Sequence, residues 1–232
     1  MVDLDTLSAN DRAIIARCLP YTMTSVARLL ALVDAVRYCT GRGLTGALVE
    51  CGVWRGGSVL AIIGTLQELG ISDRELWLYD TFEGMTAPTD KDVSAFDPPA
   101  IEIWQEAQRL GVQPWPEFFR PEVFNEAGVR RVLESTGYPP NRIHLVAGPV
   151  EQTLPASIPG QVALLRLDTD WYESTRHELQ HLYPLLIDGG ALIIDDYGHW
   201  AGCRQAVDEY FAEHPGLLLT RVDYTARIAV KH

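Results

Sequence analysis

A chain of 232 residues, 47% hydrophobic and 22% charged, is long enough to bury one sizeable core. Its 31 acidic against 19 basic residues leave a formal charge of -12, which argues against a grip on nucleic acid or an anionic membrane, since both need clustered Lys and Arg. A single domain, residues 1–232, with a small-molecule partner is the expectation.

The chain begins Met1-Val2-Asp3-Leu4-Asp5, without the basic flank and apolar run of a secretory signal, and no later apolar segment approaches membrane-spanning length. The cysteines Cys18, Cys39, Cys51 and Cys203 form no C-x-x-C pair, so neither a zinc knuckle nor a redox dithiol is indicated. Free thiols in a reducing cytoplasm are the reading, and a cytoplasmic location is expected.

From Ala9 to Cys39 apolar residues recur at helical spacing, broken at Pro20, with capping hydroxyls in Tyr21-Thr22-Met23-Thr24-Ser25; residues 1–44 thus form a helical preface. Buried strands are expected at Ala47 to Cys51, Glu75 to Tyr79, Ile143 to Ala147, Val162 to Leu167 and Ala191 to Ile194. Helical patterns lie between them, notably Val59 to Leu69 and Ser174 to Leu186. This alternation predicts an α/β fold with a mostly parallel, doubly wound sheet. Residues 85–141, rich in Pro, acidic residues and aromatics such as Trp104, Trp115, Phe118 and Phe119, are too long for a plain connection. Helices at Ile101 to Leu110 and Asn125 to Ser135 should divide this insertion. It reads equally as a substrate-shaping lid or as an ordinary helical layer or dimer contact. Leu217 to Val222 and Ala226 to Val230, separated by Asp223-Tyr224-Thr225, predict a C-terminal antiparallel hairpin.

The first strand runs into Glu50-Cys51-Gly52-Val53-Trp54-Arg55-Gly56-Gly57-Ser58, where glycines let a ligand approach the backbone. This is neither G-x-G-x-x-G nor a P-loop, so bound phosphate is poorly supported. Glu50 would repel a pyrophosphate but could receive the ammonium of a methionine moiety, which favours S-adenosylmethionine. Asp80, at the end of the second strand, is placed to accept hydrogen bonds from ribose hydroxyls. Taken alone it would more often be a cap or a solvated charge.

The fourth strand leads into Leu167-Asp168-Thr169-Asp170-Trp171-Tyr172-Glu173 and the fifth into Ile194-Asp195-Asp196-Tyr197. Neighbouring strands lie about 4.8 Å apart, so these carboxylates can converge outside the sheet. A hard divalent cation would relieve their repulsion, and all-oxygen ligation suits Mg²⁺. Asp168, Asp195 and Asp196 are assigned to the metal, and Asp170 is left as the base for an attacking hydroxyl. Singly, each aspartate could equally cap the following helix. His199 is an alternative base; His144, His177 and His181 read as packing or surface residues. Trp54, Trp171 and Trp200 are candidates for an acceptor pocket, or core aromatics.

Together with Tyr21-Thr22-Met23-Thr24, Tyr79-Asp80-Thr81-Phe82-Glu83-Gly84-Met85 and Asp195-Asp196-Tyr197-Gly198, these stretches resemble the macrocin O-methyltransferase family. Its members are metal-dependent enzymes that methylate sugar hydroxyls of macrolide and aminocoumarin antibiotics. The resemblance implies a Rossmann-like class I methyltransferase fold. It also implies that Glu50, Gly52, Gly56, Ser58, Asp80, Phe82, Glu83 and Gly84 hold the cofactor, that Thr24 and Ser25 close over it, and that subunits form at least a homodimer. A catechol-type metal-dependent O-methyltransferase, a nicotinamide-dependent oxidoreductase and a non-catalytic binding protein are the rival readings.

Overall fold

The computed structural model describes residues 4–232. Helices α1 (Ala9–Cys18) and α2 (Val26–Gly41) form the preface, capped by Ser8, which accepts from the Asp11 N–H, and by Ser25, which accepts from the Arg28 N–H. Then follow β1 (Ala47–Cys51), α3 (Gly57–Glu68), β2 (Leu76–Asp80), α4 (Ala100–Leu110), α5 (Pro116–Phe119), α6 (Glu126–Glu134), β3 (Ile143–Ala147) and α7 (Val150–Thr153). The chain continues through β4 (Val162–Leu167), α8 (Tyr172–His181), β5 (Leu186–Ile194), α9 (Ala201–Glu213), β6 (Thr220–Arg221) and β7 (Arg227–Val230).

The strands form one seven-stranded sheet in the order β3-β2-β1-β4-β5-β7-β6, parallel from β3 to β5, with β7 antiparallel to both β5 and β6. The predicted mostly parallel sheet, helical cap and terminal hairpin are all present. Every residue of β1 and β4 is buried, because helices cover both faces of the sheet. Leu29, Leu32, Val36, Ile62, Ile63 and Leu66 pack α2 and α3 on one face, and Leu179, Leu182, Cys203 and Val207 pack α8 and α9 on the other. The four cysteines are free and buried.

Four elements differ from expectation in their bounds. Strand β2 is displaced by one residue, to Leu76–Asp80, and β5 begins at Leu186 rather than Ala191: Leu186 pairs with Val162, and after an irregularity that includes Gly189 at φ 81° the pairing resumes at Ala191. The helix expected from Ser174 to Leu186 starts at Tyr172 and stops at His181; Pro184 cannot continue it, and a short 3-10 turn, Tyr183–Leu185, follows. In the hairpin only Thr220 and Arg221 pair with β7, so its first strand is shorter than the apolar pattern suggested. Among the described residues no helix is long and apolar enough to cross a membrane.

Candidate active site

The strand order reverses between β1 and β4, and there the parallel ladder runs one residue beyond each strand. The Gly52 N–H donates to the Tyr79 carbonyl, the Asp168 N–H to the Cys51 carbonyl and the Asp195 N–H to the Leu167 carbonyl, each at 2.9 Å. Gly52, Asp168 and Asp195 therefore stand in one row at the carboxyl ends of the strands, where doubly wound sheets bind ligands. Gly52 adopts φ 85°, and a Cβ there would lie 1.9 Å from the Asp168 carbonyl oxygen, so the close approach of the two loops requires glycine.

Above this row opens a cavity of about 620 Å³, within the range of small-molecule sites. The sheet loops, Met23, Thr24 and Arg28 of the preface, and Met85, Asp97, Ile103, Trp115 and Phe118 of the insertion all line it. Asp80, Asp97, Glu117, Glu151, Asp168, Asp170, Asp195 and Asp196 face it, while Arg28 is the one guanidinium among the lining residues.

On the β1 and β2 side, Asp80 Oδ2 accepts from the N–H groups of Val53 and Trp54 at 2.7 and 2.9 Å, and Oδ1 from the Phe82 N–H at 2.8 Å. Burial pushes the Asp80 carboxyl up, and these three N–H groups oppose the shift by stabilising its charge. The carboxylate thus organises the glycine turn with most of its acceptor capacity.

Of the residues expected around a cofactor, Thr24, Gly52, Ser58, Asp80 and Gly84 face the cavity. The other five stand behind the wall. Ser25 caps α2 and donates to Asp223 Oδ2 at 2.9 Å. Gly56 sits at the left-handed start of α3, Phe82 packs on Phe124, and Glu83 lies in a separate outer groove.

The fifth, Glu50, corrects the sequence reading most. It is fully buried, and its Oε1 is engaged by Ser58 Oγ and by Arg166 Nη1 rather than facing a ligand. The physical cause is register: Glu50 and Arg166 are paired residues of neighbouring strands β1 and β4. Glu50 Oε2 has no hydrogen-bond partner among the described residues, and burial pushes this carboxyl up against the pull of Arg166.

Across the cavity, one oxygen each from Asp168, Asp195 and Asp196 lie within 4.8 Å of one another. Arg166, 1% exposed, reaches into the group: Nη1 donates to Asp168 Oδ2 at 2.7 Å and Nη2 to Asp195 Oδ1 at 2.8 Å. Burial pulls Arg166 down, but Asp168, Asp195 and Glu50 outweigh it and keep the guanidinium charged. Arg28 pairs with the other Asp195 oxygen and, at 3.2 Å, with Asp223. Asp196 has no ion-pair partner among the described residues; its Oδ2 accepts only the Asp170 N–H, at 3.3 Å. Burial, then neighbouring carboxylates, push Asp196 well above the usual range, and burial and Asp195 do the same to Asp168 against Arg166. Two guanidiniums do not neutralise this cluster. The all-oxygen donor set fits a hard divalent cation.

Asp170 sits in the left-handed region at φ 69°, a conformation that costs an L residue roughly 1–2 kcal/mol, and the Trp200 indole N–H holds its Oδ1 at 2.7 Å. Burial pushes its carboxyl up to about 7. His199 also lines the cavity, but Nε2 contacts Asp97 Oδ2 at 2.6 Å and Nδ1 the Tyr224 hydroxyl at 3.0 Å, so both ring nitrogens are engaged. His144 pairs with Glu75 and stacks on Trp77, and His177 contacts the Leu154 carbonyl, both away from this cavity. Trp54, Trp171 and Trp200 line the cavity with Trp115. Sequence reasoning missed Arg166 and Arg28. The signal for the first was present: an arginine inside the apolar strand Val162-Ala163-Leu164-Leu165-Arg166-Leu167 has to meet buried acid.

Comparison with known proteins shows the family and the fold. The family model described as Macrocin-O-methyltransferase (TylF) matches residues 8–228. The demethyldecarbamoylnovobiocin O-methyltransferase of Streptomyces niveus is 33% identical over 83% of this chain and 68% of its own length. The mycinamicin III 3''-O-methyltransferase of Micromonospora griseorubida is 32% identical over 84% and 71%. The structure of the O-methyltransferase NovP superposes with a TM-score of 0.76 at 30% identity, covering 91% of this chain and 82% of that one. The S-adenosylhomocysteine-bound Podospora anserina methyltransferase PaMTH1, at 16% identity and a TM-score of 0.56 over 97% of this chain and 89% of that one, shares the fold.

Proposed function

The chain belongs to the macrocin-O-methyltransferase family, and we propose that it methylates a hydroxyl of a deoxysugar carried by a natural product such as a macrolide or aminocoumarin antibiotic. It is an O-methyltransferase of the adenosylmethionine-dependent class with the class I fold. The observation that carries the proposal is one cavity with a glycine turn on one wall and the Asp168, Asp195 and Asp196 oxygens, within 4.8 Å of one another, on the other.

In this reading Gly52, Ser58 and Thr24 contact adenosylmethionine, and the remaining acceptor capacity of Asp80 Oδ1 takes a ribose hydroxyl. Glu50 contributes negative potential from behind Ser58, and Gly84 leaves the adjoining loop close to the cofactor. Asp168, Asp195 and Asp196 would hold Mg²⁺, which when bound supplies positive charge that acidifies an acceptor hydroxyl. Each Asp195 oxygen accepts one arginine N–H, from Arg166 or from Arg28, and keeps a second lone pair for such a set.

Asp170 removes the acceptor proton through the oxygen that Trp200 leaves free; a carboxyl near 7 suits a base at neutral pH. The acceptor oxygen forms a bond to the methyl carbon as the carbon–sulfur bond breaks, leaving a methyl ether, a neutral thioether and a protonated Asp170. Alignment of oxygen, carbon and sulfur by the two walls supplies much of the acceleration. The excess of carboxylates favours a cationic sulfonium and an uncharged or cationic acceptor, and disfavours a sugar carrying phosphate.

A methyl-transfer assay over deoxysugar glycosides and simple catechols, with chelator and with Mg²⁺ restored, tests the proposal. Glycoside turnover that vanishes with chelator and returns with Mg²⁺ is expected. Turnover of catechols alone would move the acceptor class to aromatic diols, and turnover indifferent to chelator would remove the metal.

A further inference from the structure

The loops that carry the aspartates end at the first residues of α8 and α9, and neither helix has a side-chain cap of its own. Both are capped by one turn at the start of the insertion. Asp92 Oδ1 accepts the Tyr172 N–H, the first of α8, at 2.7 Å, and the Val93 carbonyl accepts the Ala201 N–H, the first of α9, at 2.9 Å. Asp92 is 1% exposed, and its Oδ2 is held by the Thr89 N–H and hydroxyl at 2.7 and 2.8 Å. A Cβ on Gly202 would lie 2.0 Å from Asp92 Oδ1, so α9 must carry glycine there for the carboxylate to enter between the helices. The same stretch accepts the Trp171 indole N–H on the Thr86 carbonyl at 2.9 Å and sets Lys91 Nζ 3.2 Å from the Tyr172 ring centre.

We propose that Asp92 is a positioning residue that clamps α8 to α9 and so sets Asp168 and Asp170 in register with Asp195 and Asp196. A buried carboxylate at a helix N-terminus is favoured by the unpaired N–H groups and the helix dipole, which makes this a stiff joint. The two loops lie on different strands, and their relative placement decides how proton acceptor and acceptor hydroxyl meet. A misplacement of about 1 Å can cost about 10²-fold in rate. The glycine turn is built by Asp80, on the far side of β1, and does not depend on this clamp. The inference rests on the reading that these loops hold the reacting centre.

The test compares Asp92→Ala, Asp92→Asn and Gly202→Ala in the full chain, reading acceptor kcat and KM, adenosylmethionine affinity by calorimetry and thermal midpoint. Asp92→Ala should lower kcat about 10²-fold with cofactor affinity within about twofold of wild type. Asp92→Asn, which keeps an oxygen for the Tyr172 N–H but turns an NH2 group toward the Thr89 N–H, should recover part of the loss, and Gly202→Ala should reproduce the alanine defect by displacing the carboxylate. Wild-type turnover in Asp92→Ala, an asparagine variant as poor as the alanine one, or losses of kcat and cofactor affinity in parallel would each overturn the clamp. If Asp92→Ala does not fold, an active Asp92→Asn beside a Gly202→Ala impaired only in kcat supports it, and any other pattern overturns it. A wild-type chain that transfers no methyl group overturns the proposed function and this inference together; normal wild-type transfer with unaffected variants overturns the inference alone.

Discussion

The two walls of the cavity are built on opposite electrostatic principles. On the β1 and β2 wall, Asp80 is surrounded by the N–H groups of Val53, Trp54 and Phe82, so its charge is stabilised by backbone a few residues either side of two strand ends. On the β4 and β5 wall, Asp168, Asp170, Asp195 and Asp196 share Arg166 and Arg28, and Asp196 is left with no ion pair among the described residues. The first wall is complete within the chain. The second carries a surplus of negative charge that a bound cation or a proton has to meet, and burial makes that demand stronger. Under the proposed function the finished wall binds the cofactor and the unfinished wall carries the reaction.

The sharpest way to break this contrast is Asp170→Asn. Turnover should fall about 10²–10⁴-fold while adenosylmethionine binding, measured by calorimetry, stays unchanged, since the proposed base belongs to the unfinished wall alone. Arg166→Met tests the compensation within that wall. Removing a guanidinium that is 1% exposed leaves Glu50, Asp168 and Asp195 without their shared partner. A loss of about 3–5 kcal/mol is expected, seen as a thermal midpoint lower by about 10 °C. A midpoint within about 2 °C of wild type would show that the carboxylates are neutral without it.

Asp80→Ala addresses the finished wall. It leaves three N–H groups without their acceptor, each costing about 1 kcal/mol or more, so cofactor affinity should drop at least about tenfold while divalent-cation binding is unaffected. The smallest effect is the pH dependence of the metal-free protein. Asp170 is raised from 3.8 to about 7, so the folded state holds a proton that the unfolded chain has released. Its contribution is fully present below about 4 and is lost as pH rises through about 7, with Asp168, Asp196 and Glu178 shifted in the same direction. The thermal midpoint should fall by a few degrees, about 5 °C, between pH 5 and pH 8, and added Mg²⁺ should flatten that fall. A midpoint that rises over this interval would contradict the surplus of buried carboxylates.

Much of the fold was legible because parallel strands buried on both faces are continuous apolar runs. Ala47–Cys51 and Val162–Leu167 occur where those runs predict them, whereas Ile143–Ala147 has its predicted bounds but lies half-buried at the sheet edge rather than in the core. The strand carrying Gly189 and Gly190 reaches back to Leu186 because Lys231 hydrogen-bonds both glycines where the register with β4 is broken, a pairing of distant segments that the local apolar run does not show. The acids of the site were legible as residue types at strand ends. Their partners were not: Glu50 meets Arg166 across 116 positions and Arg28 meets Asp195 across 167. Such pairs follow from strand register and from how the preface folds back.

The sequence by itself therefore determined the strand and helix pattern, the glycine turn and the aspartates at two strand ends, because apolar periodicity and turn chemistry are local properties of the chain. Only the tertiary structure decided that Glu50 faces an arginine rather than a ligand, that Asp80, expected to accept from ribose hydroxyls, accepts from the N–H groups of the turn, and that Asp92 and the Val93 carbonyl cap helices lying some 80 residues or more further along. Those roles depend on which charges become neighbours in a medium that cannot solvate them, and the packing of distant segments makes that choice.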